Sequence, residues 1–320
     1  MFRTARQIPQ QIVTYRESGG GWPRVVWCIH DTRAGHRQQL QGLAQALQIQ
    51  QNAAVYWLPY TASPRGLPPP ELILVCGRRT HWAGLRARWR HGGKLVALMN
   101  PGLLRRLFDA CIVPEHDGLR VSPRTIVTRG PLNPLQPAGQ GDPQRGLILV
   151  GGPSRHFHWD SEGVLQQIQR LRNALPGVEW LLATSRRTPE DFVHALRTVA
   201  DQHCRVLTAA ETAPRGLAAH YRERGIAWVT ADSAAMLYEA LSGAAAVGVL
   251  NLQPCGANRL QAGLEKLIAQ GDVAELETVE RTGAMPAARP PLHEAQRAAA
   301  ALRARQIAWS HEGHCSRPDK

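Results

Sequence analysis

The strongest constraint on this chain is an alternation that occurs twice: apolar β-rich runs and amphipathic helical patterns take turns along it. Arg24–His30 reads as a buried strand. Leu40, Leu43, Ala44 and Leu47 follow at i, i+3, i+4 and i+7, the spacing of one helix face. Tyr56–Leu58, Glu71–Cys76, Leu95–Met99 and Ala110–Val113 read as further strands, with a helix near Trp82–Arg90. From Pro131 to Gly146 the proline and glycine content is that of a linker. The alternation then restarts. Leu147–Val150, Val178–Ala183, Val206-Leu207, Ile226–Thr230 and Ala245–Leu250 read as strands. Helices are expected over Ser161–Ala174, after Pro189, from Asp232, and over Ala295–Ala308. Strands alternating with helices build parallel α/β sheets. The expected division is a first unit at 1–133, a linker at 134–146, a second unit at 147–292, and a helix and tail at 293–320.

At 320 residues and 43% apolar content the chain can bury two cores. Neither end reads as a secretory signal, and no apolar run approaches the roughly 20 residues of a membrane helix. A cytoplasmic protein is expected, with peripheral contact at an anionic membrane face left open. The six cysteines form no C-x-x-C pair, and Cys28, Cys76 and Cys111 sit inside apolar runs, which speaks against a disulfide framework or zinc ribbon. The net charge of +13 is nearly all arginine and favours anionic partners, among them phosphorylated substrates. A nucleic-acid partner is not expected, because no basic stripe with interleaved aromatics stands out. Neither G-x-G-x-x-G nor a Walker loop is present, so dinucleotide oxidoreductases and NTPases lack their marks.

Ligands of open parallel sheets bind beyond the carboxyl ends of the strands. Four polar loops fall there: Asp31–His36, Pro114–Asp117, Gly151–Asp160, and Thr184–Thr188 with Asp232-Ser233 beside it. Asp232 and Ser233 are capping residues at a fresh helix N-terminus, which presents unpaired N–H groups and a partial positive charge to an anion. Glu239 lies seven residues on, almost on the same helix face and about 10 Å further along, near the span from a diphosphate to the ribose hydroxyls of one nucleotide. Ser185, Arg186, Arg187 and Thr188 combine hydroxyls with two guanidiniums that can hold a diphosphate. Gly151 and Gly152 let backbone approach a ligand, with Ser154, Arg155 and His156 following. His156, His158 and Asp160 alternate as metal ligands on a strand would, but no further ligand cluster completes the set; phosphate or sugar contact by His156 is the preferred reading. His36 opens a helix, where its protonated form is disfavoured and the neutral ring can accept a proton. Glu115 and Asp31 are reserve candidates for a general base.

Taken in order, Asp31-x-x-x-Gly35-His36, Val113–Asp117, Gly151–Asp160, Thr184–Pro189 and Thr230–Ser233 with Glu239-Ala240 resemble the elongated-mitochondria (Elm) fission-protein family from about Val25 to Leu250. The resemblance implies a GT-B architecture: two Rossmann-like, doubly wound parallel-sheet domains facing a cleft. It implies a metal-independent, cofactor-free glycosyltransferase that takes a nucleotide-sugar donor, held mostly by the second domain, to a glycan or lipid acceptor. On that reading Ser185, Arg186, Asp232, Ser233 and Glu239 contact the donor, with Glu239 on the ribose, and His36 matches the Gly-His of peptidoglycan-type transferases. Ala34 stands where the family usually has proline. The resemblance also admits a non-catalytic scaffold of the kind that acts in mitochondrial fission. A third label for such chains is nucleoside-diphosphate-sugar epimerase, against which the missing glycine fingerprint argues.

Overall fold

The computed structural model describes residues 23–135, 141–212, 216–243, 246–256, 258–287 and 289–312. The N-terminal segment 1–22, the centre of the predicted linker (136–140), Ala245 and the tail 313–320 with Cys315 lie outside the described residues. The first unit runs β1 (Val25–His30), α1 (Ala34–Gln51), β2 (Ala54–Pro59), β3 (Leu72–Cys76), α2 (Arg78–His91), β4 (Lys94–Leu98), β5 (Ala110–Pro114) and β6 (Thr125–Thr128). Its sheet has six strands in the order β2-β1-β3-β4-β5-β6, and every pairing is parallel.

The second unit runs β7 (Asp142–Val150), α3 (Ser161–Ala174), β8 (Glu179–Thr184), α4 (Glu190–Thr198), β9 (Cys204–Leu207), α5 (Ala209–Thr212), α6 (Gly216–Glu223) and β10 (Arg224–Thr230). It continues through α7 (Ala234–Gly243), β11 (Ala246–Leu250), α8 (Arg259–Ala269), β12 (Ala274–Glu275), α9 (Leu276–Thr282) and α10 (Glu294–Glu312). Its six parallel strands are ordered β12-β11-β10-β7-β8-β9.

Both sheets are covered on both faces, so their strands are continuous apolar runs rather than alternating ones. Leu72, Ile73, Leu74, Val75 and Cys76 of β3 are all fully buried. Alternate residues of each strand feed separate clusters on its two sides. The helices that cover them are locally specified. Asp160 caps α3 by accepting the Gly163 N–H at 2.9 Å, and Val164, Ile168 and Leu171 present one apolar stripe. The cap role of Asp160 removes it from the His156/His158 set considered for metal. Among the described residues no group of three or more histidine, cysteine or acidic side chains is arranged around a common point.

Three expectations are corrected. Residues 142–146 of the predicted linker form the beginning of β7, exposed at 142–144 and buried by Gly146, which pairs with β10 through an irregularity between Arg224 and Ile226. The terminal helix is no appendage: Ala295, Ala298, Ala299 and Leu302 of α10 pack into the first unit's core against Leu40, Leu43 and Leu47 of α1. The chain therefore crosses between units twice. Finally, a basic stripe with interleaved aromatics does exist. On α2, Trp82 and Trp89 lie 65% and 83% exposed among exposed arginines.

Candidate functional site

In each sheet the chain reverses its direction of growth at one point, and a crevice opens there at the carboxyl ends. In the first sheet this point lies between β1 and β3, in the second between β7 and β10. Asp31–His36 follows β1, Gly77 follows β3, Gly151-Gly152 follows β7 and Asp232 follows β10, so the candidate loops occupy both crevices.

At the first crevice, His36 Nδ1 lies 2.9 Å from Asp31 Oδ2, and the two side chains are 13% and 5% exposed. Burial pushes the Asp31 carboxyl up, but the Arg33 amide at 3.0 Å and the His36 ring outweigh it and hold it below its usual range. An ionised Asp31 fixes the proton of neutral His36 on Nδ1 and leaves Nε2 as an acceptor. Gly77 makes room for the ring. Its φ is +92°, and a Cβ there would sit 2.4 Å from His36 Cε1. Sequence reasoning passed over Gly77, although glycine between a buried strand and a helix was a usable signal.

At the second crevice, a closed network ties the loops together. Asp232 accepts from the Thr230 hydroxyl at 2.7 Å and the Gly152 N–H at 3.2 Å, and it pairs with the Arg187 guanidinium at 2.7 Å. Thr230 in turn accepts the Gly151 N–H at 2.8 Å. Ser185 and Thr188 hydroxyls both donate to the Gly151 carbonyl, and Arg187 donates to the Gly152 carbonyl. A Cβ on Gly151 would meet the Asp232 carboxylate at 2.3 Å, and one on Gly152 the Arg187 carbonyl at 2.1 Å. The glycines thus serve the loop network first. Asp232 and Arg187 shape the crevice, while Arg186 and the half-buried Ser233 stand at its open edge. The amides of Ala234 and Ala235 at the start of α7 have no acceptor among the described residues.

Ser154 caps its own loop by accepting the His156 and Phe157 amides, and Arg155 donates to His156 Nε2 at 2.9 Å. Burial and then the Arg155 charge hold His156 below the usual histidine range. Phe157 is buried, and the segment is pinned by Cys255 N–H and Asn258 Nδ2 on the His156 carbonyl.

Glu239 is 7% exposed, in the second turn of α7, with the Gln38 side chain of α1 close enough to favour its charged form. Burial, partly offset by Gln38, pushes its carboxyl up to about 7. Gln38 is two residues from His36, so α1 of the first unit meets α7 of the second near the two crevices. Glu115 is elsewhere. It follows β5, with β3 and β4 between it and β1, a lateral offset of about 14 Å. Its carboxylate pairs with Lys266 of α8 at 2.8 Å. Beside it, Asp117 pairs with Arg259 at 3.5 Å, and His116 stacks on Tyr238 at 6.3 Å. That loop is a contact between the units, away from the Asp31–His36 pair.

Two such sheets, joined by a crossover strap, define the GT-B fold. By sequence, residues 34–306 match the mitochondrial fission ELM1 family, and the chain belongs to it. Among proteins of curated function, none matches in sequence. The fold is shared with a Listeria monocytogenes protein provisionally described as a UDP-N-acetylglucosamine 2-epimerase (12% identity, TM-score 0.58, covering 92% of this chain and 98% of that one). It is shared with the S. aureus MnaA–UDP co-structure (11%, 0.53, 93% and 99%). The Neisseria meningitidis UDP-GlcNAc 2-epimerase bound to UDP-GlcNAc is similar as well (11%, 0.51, 89% and 100%).

Proposed function

We propose that this protein transfers a sugar from a nucleotide-sugar donor to an acceptor hydroxyl, in the synthesis of a cell-surface glycan or lipid. The observation that carries this reading is the largely buried Asp31–His36 pair at the first crevice, together with the open α7 amides at the second, on units whose helices α1 and α7 meet at Gln38 and Glu239. The acceptor oxygen forms a bond to the anomeric carbon as the bond from that carbon to the diphosphate breaks. The acceptor proton passes to His36 Nε2, and Asp31 stabilises the resulting imidazolium. Charge gathering on the departing diphosphate is met by the Ala234 and Ala235 amides and by Arg186. Glu239 exchanges Gln38 for the ribose hydroxyls when donor enters.

Isothermal titration with UDP, GDP, CDP and their sugars tests the binding half. His36→Ala should leave binding intact and abolish transfer, whereas Glu239→Ala should weaken binding about 10-fold or more. Absence of nucleotide binding, with one stable protein partner in a pull-down, favours the scaffold reading instead.

Epimerisation of a nucleotide-sugar is the second reading, favoured by the fold shared with the UDP-GlcNAc 2-epimerase structures. The missing glycine fingerprint speaks only against a dinucleotide-dependent epimerase. Incubation without acceptor separates the two: an inverted hydroxyl configuration in recovered donor identifies epimerisation, and its absence with acceptor-dependent product identifies transfer.

A further inference from the structure

Between Glu71 and Asp109 the chain carries seven arginines and one lysine, and no acidic residue. The fold gathers these charges on one face. Along α2 the exposed positions include Arg79, Trp82, Arg86, Trp89 and Arg90, so guanidiniums and indoles alternate on the outward side. The 3-10 turn Gly102–Leu107 extends this face with Leu103, fully exposed, and Leu107, 44% exposed, flanking Arg105 and Arg106. Arg88 holds the turn against the helix by donating to the Leu107 carbonyl at 3.1 Å and pairing with Asp109 at 3.2 Å. The remaining six arginines form no ion pair among the described residues. Beside α2 runs a groove of ≈ 510 Å³ whose wall includes Trp82, Arg79 and Arg86 and whose floor reaches Ile29 and Leu58, near the end of β1 that precedes Asp31.

We propose that this α2 face docks on an anionic phospholipid bilayer. Four large apolar side chains left in water on one face mark an interaction site. Their identity narrows the partner. Indoles favour the boundary between headgroups and acyl chains, where an apolar ring and a polar N–H are both accommodated. Interleaved arginines lacking acidic partners complement lipid phosphates, and an anionic leaflet attracts such a cluster strongly. A protein partner would need matching pockets for two tryptophans and a dense acidic surface, whereas a bilayer supplies both chemistries without shaped complementarity. No helix among the described residues is long and apolar enough to cross a membrane, so the docking is peripheral. Arg79, in the first turn of α2, lies at the carboxyl end of the sheet, the end that carries the Asp31–His36 pair, while Trp89 and Leu107 lie towards the opposite end. Docking itself does not depend on the catalytic reading.

The test uses the full chain and phosphatidylcholine vesicles with and without phosphatidylglycerol, in sedimentation at low and high salt. Binding is expected only with the anionic lipid and should weaken with salt. Each basic residue near an anionic surface is worth about fivefold in affinity, so the variant R79E/R86E/R90E should lose about 100-fold or more. The variant W82S/W89S should lose about 10-fold and the blue shift of its tryptophan emission. These positions are exposed, so circular dichroism should match wild type. Quenching of wild-type tryptophan by brominated lipid in the same vesicles is a second readout that needs no variant. Failure to bind anionic vesicles, binding unchanged in both variants, or absence of quenching overturns the proposal. So does tight oligonucleotide binding that vesicles cannot displace, which would assign the stripe to nucleic acid. None of these results bears on nucleotide-sugar binding, which is measured separately.

Discussion

Two residues carry most of the chemical argument through their surroundings rather than their type. Gly77 is required twice, for a φ of +92° and for the volume that the His36 ring occupies. Gly77→Ala should displace the imidazole and destabilise the first unit by about 1–3 kcal/mol. Transfer should fall about 100-fold or more while nucleotide affinity is kept, a split that steady-state kinetics and titration calorimetry would read directly. Asp31→Asn tests the same pair from the other side: it favours the wrong tautomer of His36 and should cost about 10²–10⁴ in turnover. Glu239 gives a pH dependence with a definite sign. Its carboxyl is raised from 4.5 to about 7 in the folded chain because ionisation there is opposed by burial. The folded state therefore holds a proton that the unfolded chain releases. The stability tied to that proton is complete below pH 4.5 and is lost as pH rises to 7, by about 3 kcal/mol. Glu239→Gln cannot ionise. Urea denaturation should find it equal to wild type near pH 4 and more stable by up to about 3 kcal/mol at pH 8. If the difference is flat across that range, Glu239 is not held protonated.

At the scale of loops and helices, the crevice of the second sheet separates residues that build from residues that bind. Asp232 has a side chain only 1% exposed and every described partner lies within its own loops. Asp232→Ala leaves the Gly152 amide and the Thr230 hydroxyl without their acceptor and the Arg187 guanidinium without its counter-charge, and should destabilise the second unit by about 2–4 kcal/mol. Arg186, exposed and outside the network, should behave oppositely. Arg186→Ala should cost about 10-fold in nucleotide affinity with no change in melting temperature. Thermal denaturation with and without UDP distinguishes the two. Spacing alone put Asp232 and Arg186 in one group, because a sequence shows which side chains share a loop but not which of them spend their hydrogen bonds inside it. The long apolar strands and the helix at Ser161–Ala174 were legible, since buried parallel strands and a capped amphipathic stripe leave unambiguous patterns. β6 was not, being four residues long. α8 was overlooked despite its signal: Asn258 as cap and Leu260, Leu264 and Leu267 on one stripe. The pairing of Glu115 with Lys266 depends on contact between units, which no local pattern encodes.

For the whole molecule, the question is what holds the two units together around the crevices. α10 straps back over α1 through an apolar seam, and Glu294 of that helix accepts the Arg129 amide at 2.7 Å while Arg129 pairs with Asp272. Asn133 bridges as well: its backbone abuts Gly42 of α1, and its side chain donates to the Tyr238 carbonyl and the Ser242 hydroxyl of α7. These contacts lie near the crossover. Beside them, around one hollow lined by Arg129 and Tyr238, stand the Glu115–Lys266 and Asp117–Arg259 pairs, both with exposed basic partners. Exposed pairs of this kind are worth about 0–1 kcal/mol each, enough to bias two arrangements of similar energy but too little to lock one. A donor that must reach Glu239 has to break the Gln38 contact, so opening should precede entry. Lys266→Ala with Arg259→Ala should enlarge the radius of gyration in small-angle scattering without ligand, and raising salt on the wild type should do the same to a smaller degree. Saturating nucleotide-sugar should return both to the compact value, because bound donor replaces the lost ion pairs with contacts to both units. If the variant scatters as wild type at every salt concentration, the loop after β5 does not govern closure, and the strap of α10 alone fixes the two sheets in place.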